Sequence, residues 1–206
     1  MDYRISPDEL IDITIPLSDR TPVWPGDNRF QKQTSIANGF RTSKLIMSTH
    51  SGTHIDAPGH LARYSTFVND IALNRLITPA VVTDCTGEFE ITRESIENLS
   101  LEGKALLLKT VTNPDALPDN PEYSHLTPEA AELAVNMGAR TVGIDTLSVD
   151  SPVSTTVHEI LLKASIPILE NLLLNNIRPG DYLLICLPLK IDSADGSPLR
   201  AFLQPC

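Results

Sequence analysis

Residues 50–60 read His-Ser-Gly-Thr-His-Ile-Asp-Ala-Pro-Gly-His, and this run constrains the fold more than any other stretch. Three histidines and an aspartate fall within eleven residues, punctuated by two glycines and a proline. A helix would put His50 and His54 on one face but would carry Asp56 roughly 200° round the axis. Gly52, Pro58 and Gly59 also oppose a helix interior. An extended strand running into a loop gives His50, His54 and Asp56 one parity and hence one face. Pro58 and Gly59 then turn the chain, which can bring His60 back over that face. Imidazoles and carboxylates converging on a point are the usual ligands of zinc, manganese and related divalent ions. A polar loop with incidental histidines is the alternative, and the clustering argues against it.

The rest of the chain must supply a scaffold for that run. Its 206 residues suffice for one well-buried α/β domain spanning residues 1–206. The formal charge of −10 makes nucleic acid and anionic membrane surfaces unfavourable partners. Cys85, Cys186 and Cys206 are odd in number and lack CxxC spacing, which fits a reducing compartment. No apolar run approaches the roughly 20 residues needed to span a bilayer. The acidic N-terminus is unlike a signal peptide, so the expected location is cytoplasmic.

Residues 10–15 alternate as a short strand, and residues 30–37 and 40–49 read as two strands around the Asn38-Gly39 hairpin turn. Residues 79–85, 104–111 and 141–147 read as further strands. Residues 92–99 read as a short helix capped by Thr92. A loop rich in Pro, Asn and Asp spans residues 112–125. Thr127-Pro128-Glu129 opens a helix that Gly138 ends. A helix over 157–164 and a strand over 166–170 follow. Strands over 181–191 and 199–204, around an Asp195-Gly196 turn, close the chain. Strands first and β-α-β later point to α/β architecture with a mixed sheet in a single domain.

A divalent ion needs more ligands than one cluster supplies. His158, at the start of a helix, and Glu170, at the end of the next strand, are the candidates. Glu170 ends an apolar run, where an unpaired carboxylate would be costly. Spacing alone leaves ligation and an exposed strand end equally open. His125 reads as an exposed loop residue. Ser148 and Asp150 resemble a nucleophile and its orienting acid, but no Gly-x-Ser-x-Gly elbow surrounds the serine. Trp24, flanked by prolines, reads as a core or dimer anchor or as a platform for a planar ligand.

The pattern His50-x-Gly-Thr-His54-x-Asp56-x-Pro58-x-His60 resembles the signature of the cyclase-type metal-dependent hydrolases. Corroborating segments are Trp24-Pro-Gly-Asp27, Gly143-Ile-Asp-Thr-Leu-Ser-Val-Asp150, Ile168-Leu-Glu-Asn171, Gly180-Asp-Tyr, Leu187-Pro-Leu and Ala194-Asp-Gly-Ser-Pro198. The resemblance covers nearly the whole chain, although residues 61–70 show no match. It implies a swivelling β/β/α fold, a homodimer and two zinc ions, with manganese a possible substitute. His50, His54 and Asp56 would hold the first ion, and His158 and Glu170 would complete the second, both carboxylates bridging. His60 would transfer protons and Trp24 would lie against the substrate.

The same resemblance implies a small-molecule amide substrate: hydrolysis of N-formyl-L-kynurenine to L-kynurenine and formate, in tryptophan degradation. A bound divalent ion lowers the pKa of water from 15.7 to about 7, providing hydroxide at neutral pH. His60 would carry the proton to the departing amine. The alternatives are a hydrolase of the same kind acting on a cyclic amide such as isatin, or another amide or lactone, and a non-catalytic metal-dependent binding protein.

Overall fold

The computed structural model describes residues 4–110 and 123–206. Most of the expected loop over 112–125 lies outside the described residues. Among the described residues twelve strands are present: β1 (Ile11–Asp12), β2 (Gln31–Ala37), β3 (Phe40–Ile46), β4 (His54–Asp56), β5 (Ile77–Asp84), β6 (Glu90–Ile91), β7 (Ala105–Lys109), β8 (His125–Leu126), β9 (Thr141–Ile144), β10 (Ile168–Glu170), β11 (Gly180–Pro188) and β12 (Gly196–Pro205). The α-helices are α1 (Leu73–Leu76), α2 (Pro128–Asn136) and α3 (Thr156–Lys163).

Eight strands form one mixed sheet in the order β1-β12-β11-β5-β7-β9-β10-β4, and β4 also pairs with β12. That last pairing closes seven strands into a barrel-like ring. The parallel run β5-β7-β9-β10 includes the helical crossover β9-α3-β10, while β4 pairs antiparallel with both its neighbours. The fold is therefore mixed α/β, as the pattern of elements implies.

Alternation along the strands separates two cores. Ile55, Ala80, Val82, Leu107, Leu169, Leu184 and Leu203 fill the interior of the ring. Leu106, Leu108, Val142, Ile144 and Ile168 face outward against Ala130, Ala134, Leu161 and Leu162 of the helices. Gly143 lies on the inward face, where a Cβ would come 2.7 Å from Leu107 Cδ2 and 2.8 Å from Leu172 Cδ1. Only a bare Cα fits there. On β4 and β10, Ile55 and Leu169 point inward, so His54, Asp56 and Glu170 must point outward, toward α3.

The hairpin forms as its sequence demands, with Asn38 and Gly39 at φ 53° and 78°. Every residue of β2 is exposed, and Ile36, Phe40 and Leu45 are 67%, 74% and 51% exposed. Thr127 caps α2 by accepting from the Ala130 N–H at 3.3 Å, and Gly138 follows at φ +78°.

Three local expectations fail. The helix over 92–99 is a single 3₁₀ turn, Arg93–Ser95, because the Thr92 hydroxyl donates to the Glu94 carboxylate instead of capping. His125 is buried in β8, paired with β6, and its Nδ1 lies 3.1 Å from the Tyr123 carbonyl. The strand through residues 50–56 begins only at His54, because Gly52 adopts φ +64° and breaks the extended run.

Candidate metal centre

His54 and Asp56 reach the outward face of β4 by strand alternation, and register places Glu170 of β10 directly opposite His54. His50 arrives from a turn, not from the strand. It lies against the start of β12, where a Cβ on Gly196 would come 2.6 Å from His50 Cε1. Glycine at that position makes room for the ring. His158 enters from the first turn of α3. Asp150 fixes that helix start, accepting from the N–H groups of Val157 at 2.9 Å and His158 at 2.8 Å.

Five side chains thereby converge on two adjacent points. His50 Nδ1 is 2.7 Å from Asp56 Oδ1, and His54 Nε2 is 3.4 Å from the same oxygen. On the other side, His158 Nε2 is 3.4 Å from Asp56 Oδ2 and 3.5 Å from Glu170 Oε1. Glu170 Oε2 lies 3.4 Å from His54 Nε2. Each carboxylate thus offers one oxygen to each group of donors. His50, His54 and Asp56 form one potential metal-binding group, and Asp56, His158 and Glu170 form another. Glu170 is 5% exposed, so it is not a solvated strand end.

The remaining ring nitrogens have fixed roles. A carbonyl or an ionised carboxylate only accepts, so its histidine partner must donate. His54 Nδ1 donates to the Gly52 carbonyl at 2.8 Å. His158 Nδ1 donates to Asp150 Oδ2 at 2.7 Å, and His50 Nε2 donates to Asp195 Oδ2 at 2.9 Å. Three imidazoles are therefore oriented with the opposite nitrogen turned to the carboxylates. Such outer partners typically fix ligand histidines in metal sites.

Electrostatics point the same way. Burial pushes the His50 and His54 imidazoliums down, but the Asp56 carboxylate beside them more than compensates, raising them to about 9 and about 10. Burial likewise opposes charge on His158, yet its hydrogen bond to Asp150 and the neighbouring carboxylates of Asp56 and Glu170 lift it well above the usual histidine range. Burial disfavours the Asp56 anion, which His50 and His54 nonetheless hold well below the ordinary carboxylate range. Among the described residues, Asp56 Oδ2 is buried and finds no hydrogen-bond donor. A buried anionic oxygen without a donor is costly. A divalent cation between these donors would satisfy it, and a set of imidazoles and carboxylates without thiolate suits such an ion.

The centre lines a cavity of about 410 Å³ whose walls include Trp24, Asp27, Leu61, Leu147, Ser148 and Thr155. Trp24 is 41% exposed, so it is a wall of the cavity and not a core anchor. Leu61 brings the unmatched segment 61–70 into contact with the site. His60 stands over the centre, its ring centroid 4.2 Å from that of His50 and 5.8 Å from that of His158. Ser148 and Asp150 form no nucleophile pair, since Asp150 is committed to His158 and its N–H bonds Ser148 Oγ at 3.2 Å. The orienting roles of Asp150 and Asp195 are absent from the sequence reading. The single available signal was a carboxylate a few residues before the helix that carries His158.

Comparison with known proteins follows the same lines. The Cyclase family model matches residues 11–151. A kynurenine formamidase of Bacillus cereus is 37% identical over 210 residues, covering 96% of this chain and 98% of the relative. The structure of a potential metal-dependent hydrolase with cyclase activity superposes with a TM-score of 0.83 at 29% identity, covering 96% of this chain and 98% of that one. Isatin hydrolase A from Labrenzia aggregata gives a TM-score of 0.80 at 28% identity, covering 94% of this chain and 92% of that one. With more than half of the chain matched by one family model and nearly all of it aligned to a relative, the chain belongs to the cyclase family.

Proposed function

We propose that the chain is a metal-dependent amidohydrolase that cleaves N-formyl-L-kynurenine to L-kynurenine and formate. The observation that carries this reading is the buried pair of carboxylates shared by three oriented histidines, with a fourth histidine above them at a cavity wall. The 37% identity to a kynurenine formamidase supports the choice of substrate. His50, His54 and Asp56 would hold one ion, and Asp56, His158 and Glu170 the other. Zinc suits the donor set best, with manganese as the substitute. When bound, such ions supply Lewis acidity, polarising a carbonyl and lowering the pKa of water.

The chain's own groups do the rest. Trp24 offers a flat apolar wall for an aryl ring. Among the described residues no lysine or arginine lines the cavity, so its walls offer no cation to the substrate carboxylate, while Asp27 can take its ammonium group. His60 is a ligand in neither metal group shared with Asp56. Its Nδ1 lies 3.3 Å from Asp195 Oδ2, which leaves a bare Nε2 to take a proton from the attacking water and then pass it to the departing amine. Proton transfer of this kind contributes typically about 10²–10⁴-fold.

We also infer a homodimer in the cytoplasm. A two-stranded hairpin is marginal alone in water, and β2–β3 carries three exposed apolar side chains that a second copy would cover. The free thiols of Cys85, Cys186 and Cys206 fit a reducing compartment. A second reading, hydrolysis of a cyclic amide, draws on the likeness to isatin hydrolase A. Formate release from N-formylkynurenine and ring opening of isatin, assayed side by side on metal-loaded protein, separate the two. Preferred formate release supports the proposal. Ring opening without formate release overturns it.

A further inference from the structure

We propose that Asp195 is a positioning residue that holds His50 and His60 together, so that the ligand histidine and the proton-transfer histidine are set by one carboxylate. The inference rests on the functional reading above and deepens it. A single oxygen, Asp195 Oδ2, lies 2.9 Å from His50 Nε2 and 3.3 Å from His60 Nδ1. The other oxygen, Oδ1, accepts from the Thr49 hydroxyl at 3.0 Å, which fixes the rotamer. The backbone is fixed as well, since the Asp195 carbonyl accepts from the Ala57 N–H at 2.9 Å. That bond ties the Asp195 turn to the end of β4, one residue after Asp56.

The chemistry of the acceptor decides what the two rings can do. Because an ionised carboxylate only accepts, His50 must carry a proton on Nε2 and His60 must carry one on Nδ1. His50 Nδ1, which donates to Asp56 Oδ1 at 2.7 Å in the metal-free protein, is the nitrogen that would give up its proton to face an ion, and His60 is left with a bare Nε2 as a proton acceptor. Losing Asp195 frees both rings at once: His50 can turn away from the centre, and His60 can adopt the tautomer of an unrestrained side chain. Gly196, the next residue, admits the His50 ring to this position, so two adjacent residues shape the surroundings of one imidazole.

The test uses Asp195→Ala and Asp195→Asn, with two readouts that need no substrate. Long-range proton–nitrogen NMR reads each imidazole tautomer in the metal-loaded protein at alkaline pH, and the chain has only five histidines to assign. Competition with a chromophoric chelator reads zinc affinity. The wild type should show His60 protonated on Nδ1. Asp195→Ala should move His60 toward the Nε2-protonated form and weaken zinc binding about 10–100-fold. Asp195→Asn keeps the size and one acceptor oxygen, and should lose less in both readouts. An unmoved His60 tautomer, an unchanged zinc affinity, or equal losses in the two variants would overturn the proposal. In turnover, Asp195→Ala and His60→Ala should combine to less than the product of their separate losses, with KM little changed. Wild-type protein that releases no formate defeats the functional reading but leaves the tautomer and affinity readouts standing. Formate release with both readouts unmoved defeats the Asp195 proposal alone.

Discussion

The two faces of β4 and β10 are equally buried and opposite in chemistry. Ile55 and Leu169 point into the ring, while His54, Asp56 and Glu170 point toward α3, and all five side chains are almost inaccessible to solvent. Burying an aliphatic side chain stabilises by about 1.5–3 kcal/mol and asks only for neighbours of the right shape. Burying a carboxylate costs unless donors or a cation satisfy it. Each histidine on the polar face is therefore tied from behind, to the Gly52 carbonyl, Asp150 or Asp195. Depth alone does not distinguish a core from a site. The second line of hydrogen bonds does.

Four substitutions or conditions would break or sharpen this contrast. The largest effect is expected from Asp56→Ala, which removes the residue shared by both donor groups. Metal should be lost from both, and turnover should fall at least about 10³-fold, since Lewis acidity supplies several kcal/mol. Elemental analysis beside the kinetics checks this, and retention of both ions would break the contrast. Ile55→Ala, one residue away on the other face, should cost about 2–5 kcal/mol in denaturant unfolding. Its metal content should stay that of the wild type, and a loss of metal would mean that the faces are not independent.

Gly196→Ala should weaken zinc binding about tenfold by pushing on the His50 ring. A chelator competition assay with wild-type affinity would show that the ring has room to move. The smallest effect is the pH dependence. In the metal-free protein His50 and His54 titrate at about 9 and about 10, above the unfolded value of 6.5. A raised folded pKa contributes stability that is complete below the unfolded pKa and is lost as pH rises through the folded one. Chelated protein should therefore lose stability between about pH 7 and about pH 10. Metal must displace the same protons, so apparent zinc affinity should rise over that range. A flat metal-affinity profile would contradict the protonated state of the empty centre.

Much of this was readable from sequence where local chemistry decides structure. The Asn38-Gly39 turn, the Thr127 cap and the grouping of His50, His54 and Asp56 as candidate ligands all depend on near neighbours. Without the family resemblance, Glu170 was legible only as a candidate ligand at a costly position for a carboxylate, because its partner His54 lies across the sheet. The parity argument for His50 failed, since Gly52 at positive φ ends the strand and a turn delivers the ring by another route. Asp195 was out of reach for a plainer reason. It contacts His50 across 145 residues of chain, and neither its type nor its turn marks it as an orienting group.

The central claim is that two ions on the outward face of β4 and β10 support amide hydrolysis. Titrating chelated protein with zinc, while following formate release from N-formylkynurenine, tests it most directly. Activity should be absent without zinc and should level off once each chain holds two ions. Full activity in the chelated protein, or two bound ions with no formate released, would contradict the account.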